Sequence, residues 1–480
     1  MHKIIGTAVP LGALRSNKAN LRHETNGTVD TGLLFLDWLK RTGQSAWQLL
    51  PLSETHLESV SKSVHVPSPY KGYGIGLDPR YLSSDMTEVD PSPDEERTFK
   101  KENADWLKDY ALFSALRDEF GTDDWSEWPR PIRVREPDAI TEWKRKLNRQ
   151  VTEKVREQWR LHVSFSRLKQ EARRKGIFLY GDLPFYLPFR SPLVWAHHEC
   201  FDILKTGKMS WVSGVPNGPR SYYGRQVWGH PLYRWKGPGQ TKRILKLWKM
   251  RAGYYSRFYD AMRLDHAKGF FNFGAISTKR KSLDTIRLGP GRRALTDIIS
   301  FCRNHGLELF AEDSGDRLEE LRETLYEFDV PGIRIFRWAY NEKRKRLKYD
   351  YSNLSNYPKT SFVFTTTHDT MPLKRYIKSL TANEKAHLCI HVGVENSRSV
   401  NVLIDRIIGA VINSPAERII IPLQDWLHTE NRINVPGTET KRNDPNWRYR
   451  IEKPVEKLPD IGLIPKFSKK KRKPRKGETK

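Results

Sequence analysis

The chain has 480 residues, 38% hydrophobic and 11% aromatic, enough for one large elaborated barrel or two to four ordinary domains, and a formal charge of +27. No stretch approaches the roughly 20 apolar residues of a membrane span, and Met1-His-Lys-Ile-Ile-Gly6 runs into folded-looking sequence without a secretory pattern. The three cysteines, Cys200, Cys302 and Cys389, are far apart and odd in number, which argues against a disulfide framework or a zinc site and fits a reducing, cytoplasmic setting.

An amphipathic helix is expected around Gly32–Thr42, followed by a buried strand in Ser45-Ala-Trp-Gln-Leu-Leu-Pro-Leu52. Residues 66–82 are rich in Pro, Gly and Tyr and read as a loop. Residues 93–120 and 139–175 read as charged helices. In the second, Trp143, Leu147, Val151, Val155 and Trp159 recur every four residues and keep one apolar stripe. Lys175-Gly176 ends that helix, with Gly in the C-cap role, and Ile177-Phe-Leu-Tyr-Gly-Asp-Leu-Pro184 reads as a strand ending in Asp182. Residues 190–240, rich in Pro, Gly, Trp and Tyr, show little periodicity and read as a long functional loop. Further strands are expected near 261–265, 307–312, 333–339, 361–367 and 418–423, mostly with helices between them. Strand then helix, repeated about eight times, favours a (β/α)₈ TIM barrel with helical and loop insertions over a doubly wound sheet.

Three acids stand just past short apolar or β-prone runs: Asp265 in Ala261-Met-Arg-Leu-Asp-His266, Glu312 in Leu307-Glu-Leu-Phe-Ala-Glu-Asp313, and Asp369 in Phe362-Val-Phe-Thr-Thr-Thr-His-Asp369. Strands that end in carboxylates put an acid cluster on one rim of a barrel, and convergent carboxylates are the usual equipment for cleaving a glycosidic bond. That chemistry needs no metal and no cofactor. His197-His198-Glu199 is a weak metal candidate, because adjacent residues on regular structure point apart.

From about Gly6 to Arg450 the chain resembles the amylomaltases, 4-α-glucanotransferases of the α-amylase superfamily. The likeness rests on ordered motifs that include Gly6-Thr-Ala-Val-Pro-Leu11, Trp47-Gln-Leu-Leu-Pro-Leu52, Ser68-Pro-Tyr70, Gly181-Asp-Leu-Pro-Phe-Tyr186, Gln226-Val-Trp-Gly229, Arg263-Leu-Asp-His266, Ala311-Glu-Asp313, Thr367-His-Asp369, Gln424-Asp425, Arg432-Ile-Asn434 and Asn446-Trp447. The resemblance implies retaining transfer between α-1,4-glucans such as maltooligosaccharides, starch or glycogen. It makes Asp265 the nucleophile, Glu312 the general acid/base and Asp369 the transition-state stabiliser. It places Ser68, Tyr70, Asp182, Arg263, His266 and His368 among the substrate-binding residues, with Gln226 and Trp228 on an acceptor-side loop. Arg263 is expected to hold the Asp265 pKa down, and burial with neighbouring acids to raise that of Glu312. The implied organisation is a catalytic barrel over 1–465, with a helical subdomain at about 84–175 and an acceptor-loop region at about 190–245.

The chain also departs from the family pattern. The usual Gly-Val-Pro-Pro-Asp-Tyr-Phe-Ser is rewritten as Gly214-Val-Pro-Asn-Gly-Pro-Arg-Ser-Tyr-Tyr223, where Tyr222 or Tyr223 is a candidate replacement aromatic. A Gly expected before Thr-His-Asp is Thr366, Asn-Asp after it is Thr370-Met371, Trp-Gly-Asn-Pro is Trp228-Gly-His-Pro231, and Glu-Asp-Leu-Gly is Glu312-Asp-Ser-Gly315. An α-glucan hydrolase and a catalytically weak glucan- or polyanion-binding homologue therefore stay open beside the transferase. Residues 466–480 carry nine Lys/Arg and one Glu, a local +8 that leaves +19 elsewhere. That tail reads as a disordered, solubilising end, with weak polyanion contact and a nuclear-import-like address as alternatives.

Overall fold

The computed structural model describes residues 3–17, 27–55, 68–204, 206–217, 224–341, 346–347, 353–436, 438 and 446–461. The basic tail 466–480 and the candidate aromatics Tyr222 and Tyr223 lie outside the described residues.

The described strands are β1 (Ile4–Ala8), β2 (Ala46–Gln48), β3 (Phe178–Leu183), β4 (Trp211–Val215), β5 (Gln226–Pro231), β6 (Ala261–Leu264), β7 (Asn272–Ser277), β8 (Thr285–Leu288), β9 (Glu308–Ala311), β10 (Ile333–Ile335), β11 (Tyr340–Asn341), β12 (Arg346–Leu347), β13 (Phe362–Phe364) and β14 (Arg418–Pro422). Eight of them pair in parallel in the order β10-β13-β14-β1-β2-β3-β6-β9. Each neighbour is the next barrel strand along the chain, as in a TIM barrel. The ring closes between β9 and β10 through one parallel bridge, Ala311 to Gly332. The Asp313 carboxylate completes that seam: it accepts the Ile333 N–H at 2.9 Å and pairs with Arg334 at 3.1 Å and Arg322 at 3.2 Å. Gly332 is required there, because a Cβ would fall 2.7 Å from the Asp313 carboxyl carbon.

The barrel interior is filled, not hollow. Small Ala8, Ala46 and Ala261 make room for Tyr180, Phe310 and Phe362, and the last two rings stack at 3.9 Å. Ile333, Ile335, Phe364 and Ile420 complete this plug, so the acids beyond the strand ends stand on a rigid floor.

The first helix runs Val29–Arg41, starting before the expected Gly32 because Thr28 caps the Thr31 N–H. The charged segment 93–120 is two helices, Pro93–Glu102 and Leu107–Phe120. The segment 139–175 is also broken, into Pro137–Lys146 and Asn148–Arg174, at Leu147 with φ −102° and ψ 23°. The apolar stripe persists across that break, which is why the spacing alone hides it.

Residues 190–240 correct the sequence reading, since they are not one long loop. They hold a short helix, Pro192–Ala196, and strands β4 and β5, which join β7 and β8 in an antiparallel sheet of order β5-β4-β7-β8. Glycine and proline interrupt any alternation in β4 and β5. β4 pairs instead with β7, whose six residues are all buried, and β5 adds to the free edge of β4. This sheet carries Gln226 and Trp228 toward the mouth of the barrel.

Candidate active site

Arg263, on β6, is the hub of the strand-end acids. One guanidinium nitrogen, Nη1, reaches Asp182 at 2.7 Å, Asp265 at 2.8 Å and the Tyr70 hydroxyl at 3.4 Å. The other, Nη2, pairs with Glu312. A single planar group thus ties Asp265 and Glu312 together. Asp182 is fully buried on β3, while the Asp265 and Glu312 side chains keep 22% and 24% exposure at the mouth. Those two can touch a ligand; Asp182 acts mainly as a fixed anchor for Arg263 and for the Tyr70 hydroxyl, which donates to it at 2.9 Å.

Glu312 is gripped on both oxygens. Its Oε2 accepts from Arg263 and from the His266 backbone N–H at 3.1 Å, and its Oε1 accepts from the Ser314 hydroxyl at 3.0 Å. His266 has a left-handed backbone, φ 46° and ψ 42°. For a residue with a Cβ this costs about 1–3 kcal/mol, and in this conformation its N–H faces Glu312. Gly315, at φ 108°, turns the following chain so that Asp316 meets Lys268 at 2.7 Å, which clasps the loops after β6 and β9.

Asp369 stands on a loop five residues past β13 with its own donors. Asn434 Nδ2 donates to Oδ1 at 2.6 Å, His368 Nε2 lies 3.3 Å from Oδ2, and Arg432 donates to the Asp369 carbonyl. The Asn434 N–H donates in turn to the His368 carbonyl at 3.0 Å. Below the loop, the buried Asp425 carboxylate accepts from the Thr365 and Thr366 hydroxyls, each at 2.6 Å, and from the Leu373 N–H at 2.7 Å. Thr366 therefore has a structural use where the family pattern has glycine.

Aromatic rings wall the site. Tyr70 stacks on His368 at 5.3 Å, and Trp447 tilts against both. Ser68 caps the turn that carries Tyr70, accepting its N–H at 3.3 Å. Trp228 meets His266 edge-on at 5.0 Å, and its indole N–H donates to Gln226 at 2.9 Å. All eleven residues singled out from sequence thus fall in one connected constellation. Ser314, Asn434 and Trp447 belong to it as well. The last two stood inside recognised motifs, whereas Ser314 was visible only as a departure.

The electrostatics reverse the sequence expectation for the central pair. Burial pushes Asp265 well above the usual carboxylate range; Arg263 opposes this, and Asp182, Glu312 and Asp369 add to it. Burial also acts on Glu312, but Arg263 and His266 outweigh it and hold that carboxyl below its usual value. The reason is geometric: Asp265 shares one guanidinium nitrogen with Asp182 and Tyr70, whereas Glu312 has the other nitrogen and a backbone N–H. Asp369 also lies well below the carboxylate range, because His368 and Asn434 overcome its burial. Burial lowers His266 to about 4, so its ring is neutral near pH 7.

Among the described residues no group of three His, Cys, Asp or Glu side chains is placed to hold a metal ion; His197 Nδ1 lies 3.9 Å from Glu199. No helix of the described residues is long and apolar enough to cross a membrane.

Residues 80–456 match the family described as 4-alpha-glucanotransferase. The 4-alpha-glucanotransferase of Aquifex aeolicus is 30% identical over 455 residues, covering 87% of this chain and 90% of its own. That of Thermus thermophilus is 28% identical, covering 89% and 91%. The amylomaltase from Streptococcus agalactiae in complex with acarbose shares the fold with a TM-score of 0.79, at 21% identity over 94% of this chain and 95% of that one.

Proposed function

The chain belongs to the 4-alpha-glucanotransferase family and is a transglycosylase of glucans, and from that premise we propose that it moves α-1,4-linked segments between maltooligosaccharides or starch-type glucans by two displacements at Asp265. In the first, the Glu312 proton passes to the departing glycosidic oxygen while the Asp265 carboxylate bonds to C1. In the second, an acceptor hydroxyl gives its proton to Glu312, and its oxygen displaces Asp265 from C1. Two inversions retain the anomeric configuration.

The observation that carries this reading is the guanidinium bridge between Asp265 and Glu312. It suits the short separation, roughly 5–5.5 Å, of a nucleophile and an acid/base in a retaining site. Before substrate binds, the pair holds its proton on the Asp265 side, the carboxyl that burial raises. An entering glycosidic oxygen competes for Glu312 and draws the proton there, which leaves Asp265 ionised against Arg263. Asp369 stays charged throughout, binds sugar hydroxyls and stabilises the oxocarbenium-like state. Tyr70 offers its ring to the sugar at the cleaved bond, and Ser68, His266 and His368 complete that subsite, with Asp182 behind it as the buried anchor of Arg263 and the Tyr70 hydroxyl. Gln226 and Trp228 receive the acceptor and exclude water.

Incubation with maltotriose tests this. The transferase yields glucose and a ladder of longer maltooligosaccharides at constant reducing ends. Rising reducing ends without longer products indicate the hydrolase, the reading favoured by the rewritten stretch after Gly214-Val-Pro216. Glucan binding with no turnover indicates a binding homologue. We further place the protein in the cytoplasm, on its three buried free thiols. Weak polyanion contact through 466–480 is a separate proposal: salt-sensitive binding that disappears with the tail supports it, and retained binding removes it.

A further inference from the structure

We propose that Ser314 is a positioning residue for Glu312, reserving Oε1 as the oxygen that carries the catalytic proton and weighting the carboxyl toward its base form. The inference rests on the reading of Glu312 as the acid/base and deepens it. Its starting point is a departure in this chain, which has Glu312-Asp-Ser-Gly315 where the family pattern has leucine at the third position.

The two oxygens of Glu312 are not equivalent. Oε2 faces the Arg263 guanidinium and the His266 backbone N–H, which can only donate. A proton placed on Oε2 would set a third donor against two others. The transferable proton therefore belongs on Oε1, which accepts a hydrogen bond from the Ser314 hydroxyl at 3.0 Å. A hydroxyl both donates and accepts. It donates to Oε1 when Glu312 is ionised and can rotate to accept, or move aside, when Oε1 is protonated. Leucine at this position offers neither option.

The consequence is a bias between the two half-reactions. Glu312 must be protonated to expel the leaving glucan and ionised to activate the acceptor. A donor on Oε1 stabilises the ionised form, and so favours acceptor activation. The charged and titratable groups acting on Glu312 are Arg263 on β6, Asp265 and His266 just beyond it, and Asp369 from the loop after β13, while Asp182 from β3 pairs with the same guanidinium and Lys268 acts on His266. None of them bonds Oε1, so Ser314 can be changed without removing another of its partners.

The test is the pH profile of kcat, which reports the substrate-bound pair with its proton on Glu312, for maltotriose disproportionation in the full chain and in Ser314→Ala, Ser314→Leu and Ser314→Thr, with Glu312→Gln in parallel. Loss of the donor destabilises ionised Glu312 and raises the upper pKa of the Asp265–Glu312 pair. The alkaline limb of the Ala and Leu variants therefore moves to higher pH by roughly half a unit to one unit, while Thr, which keeps the hydroxyl, restores the parent profile. A structural role would lower the rate without moving the limb. Superimposable limbs in Ala and the parent overturn the inference, as does a Thr variant displaced as far as Ala. The comparison of Ala with Thr decides the matter even if Leu fails to fold. If Glu312→Gln retains full transfer, the acid/base reading itself falls. If Glu312→Gln is inactive and the Ser314 limbs do not move, only the role of Ser314 falls.

Discussion

Asp265 and Asp369 face the same mouth but are held in opposite ways. Asp265 extends from a barrel strand into a cluster where Asp182, Glu312 and the Tyr70 hydroxyl compete for one guanidinium. Asp369 stands on a loop and has a private amide donor in Asn434 and a histidine beside it. The crowded side holds more acids than its cation can neutralise, which raises Asp265 while Glu312 stays low, and in the proposed exchange a proton passes between them. The loop side is fully supplied, so Asp369 remains an anion. A retaining exchange needs both kinds of carboxylate: a pair that trades a proton and a third group that never does.

That contrast can be attacked one residue at a time. Asp265→Asn removes the proposed nucleophile and should reduce disproportionation by at least about 10⁴-fold, measured by oligosaccharide chromatography. Glu312→Gln should cost about 10²–10⁴-fold with maltotriose, yet spare the first step with a glucosyl fluoride, whose leaving group needs no proton. Asn434→Ala removes a hydrogen bond to the ionised Asp369, an interaction worth about 1.5–3 kcal/mol. The carboxyl is depressed in the native state, so losing that bond raises it; the acid limb of the activity profile should move to higher pH by about one unit. Trp228→Ala should have the smallest effect, a weakening of acceptor KM by roughly 2–10-fold with the first half-reaction unchanged, read in single-turnover experiments.

Much of this arrangement was legible in the residues. Continuous apolar runs such as Ile419-Ile-Ile421 mark strands buried on both faces, and acids placed just beyond such runs mark the rim. The antiparallel sheet was not legible, because β4 and β5 lack alternation and β4, on which β5 pairs, depends on β7, a strand distant in sequence. The break at Leu147 was hidden by an apolar stripe that runs through it. The protonation pattern of the central pair was also beyond the sequence. Arg263 could be seen to lie near Asp265, but which guanidinium nitrogen serves which carboxylate is a matter of ångströms. The left-handed turn at His266, which presents a backbone N–H to Glu312, leaves no signal in residue type.

The most direct measurement is intact and peptide mass spectrometry of Glu312→Gln after brief exposure to α-glucosyl fluoride. Without its proposed base the variant should load a sugar but deglycosylate slowly. The mechanism requires a one-glucosyl mass increase that maps to the peptide containing Asp265 and disappears in the Asp265→Asn double variant. Fluoride release with no adduct, or an adduct on Asp369 or another residue, would contradict a covalent exchange at Asp265.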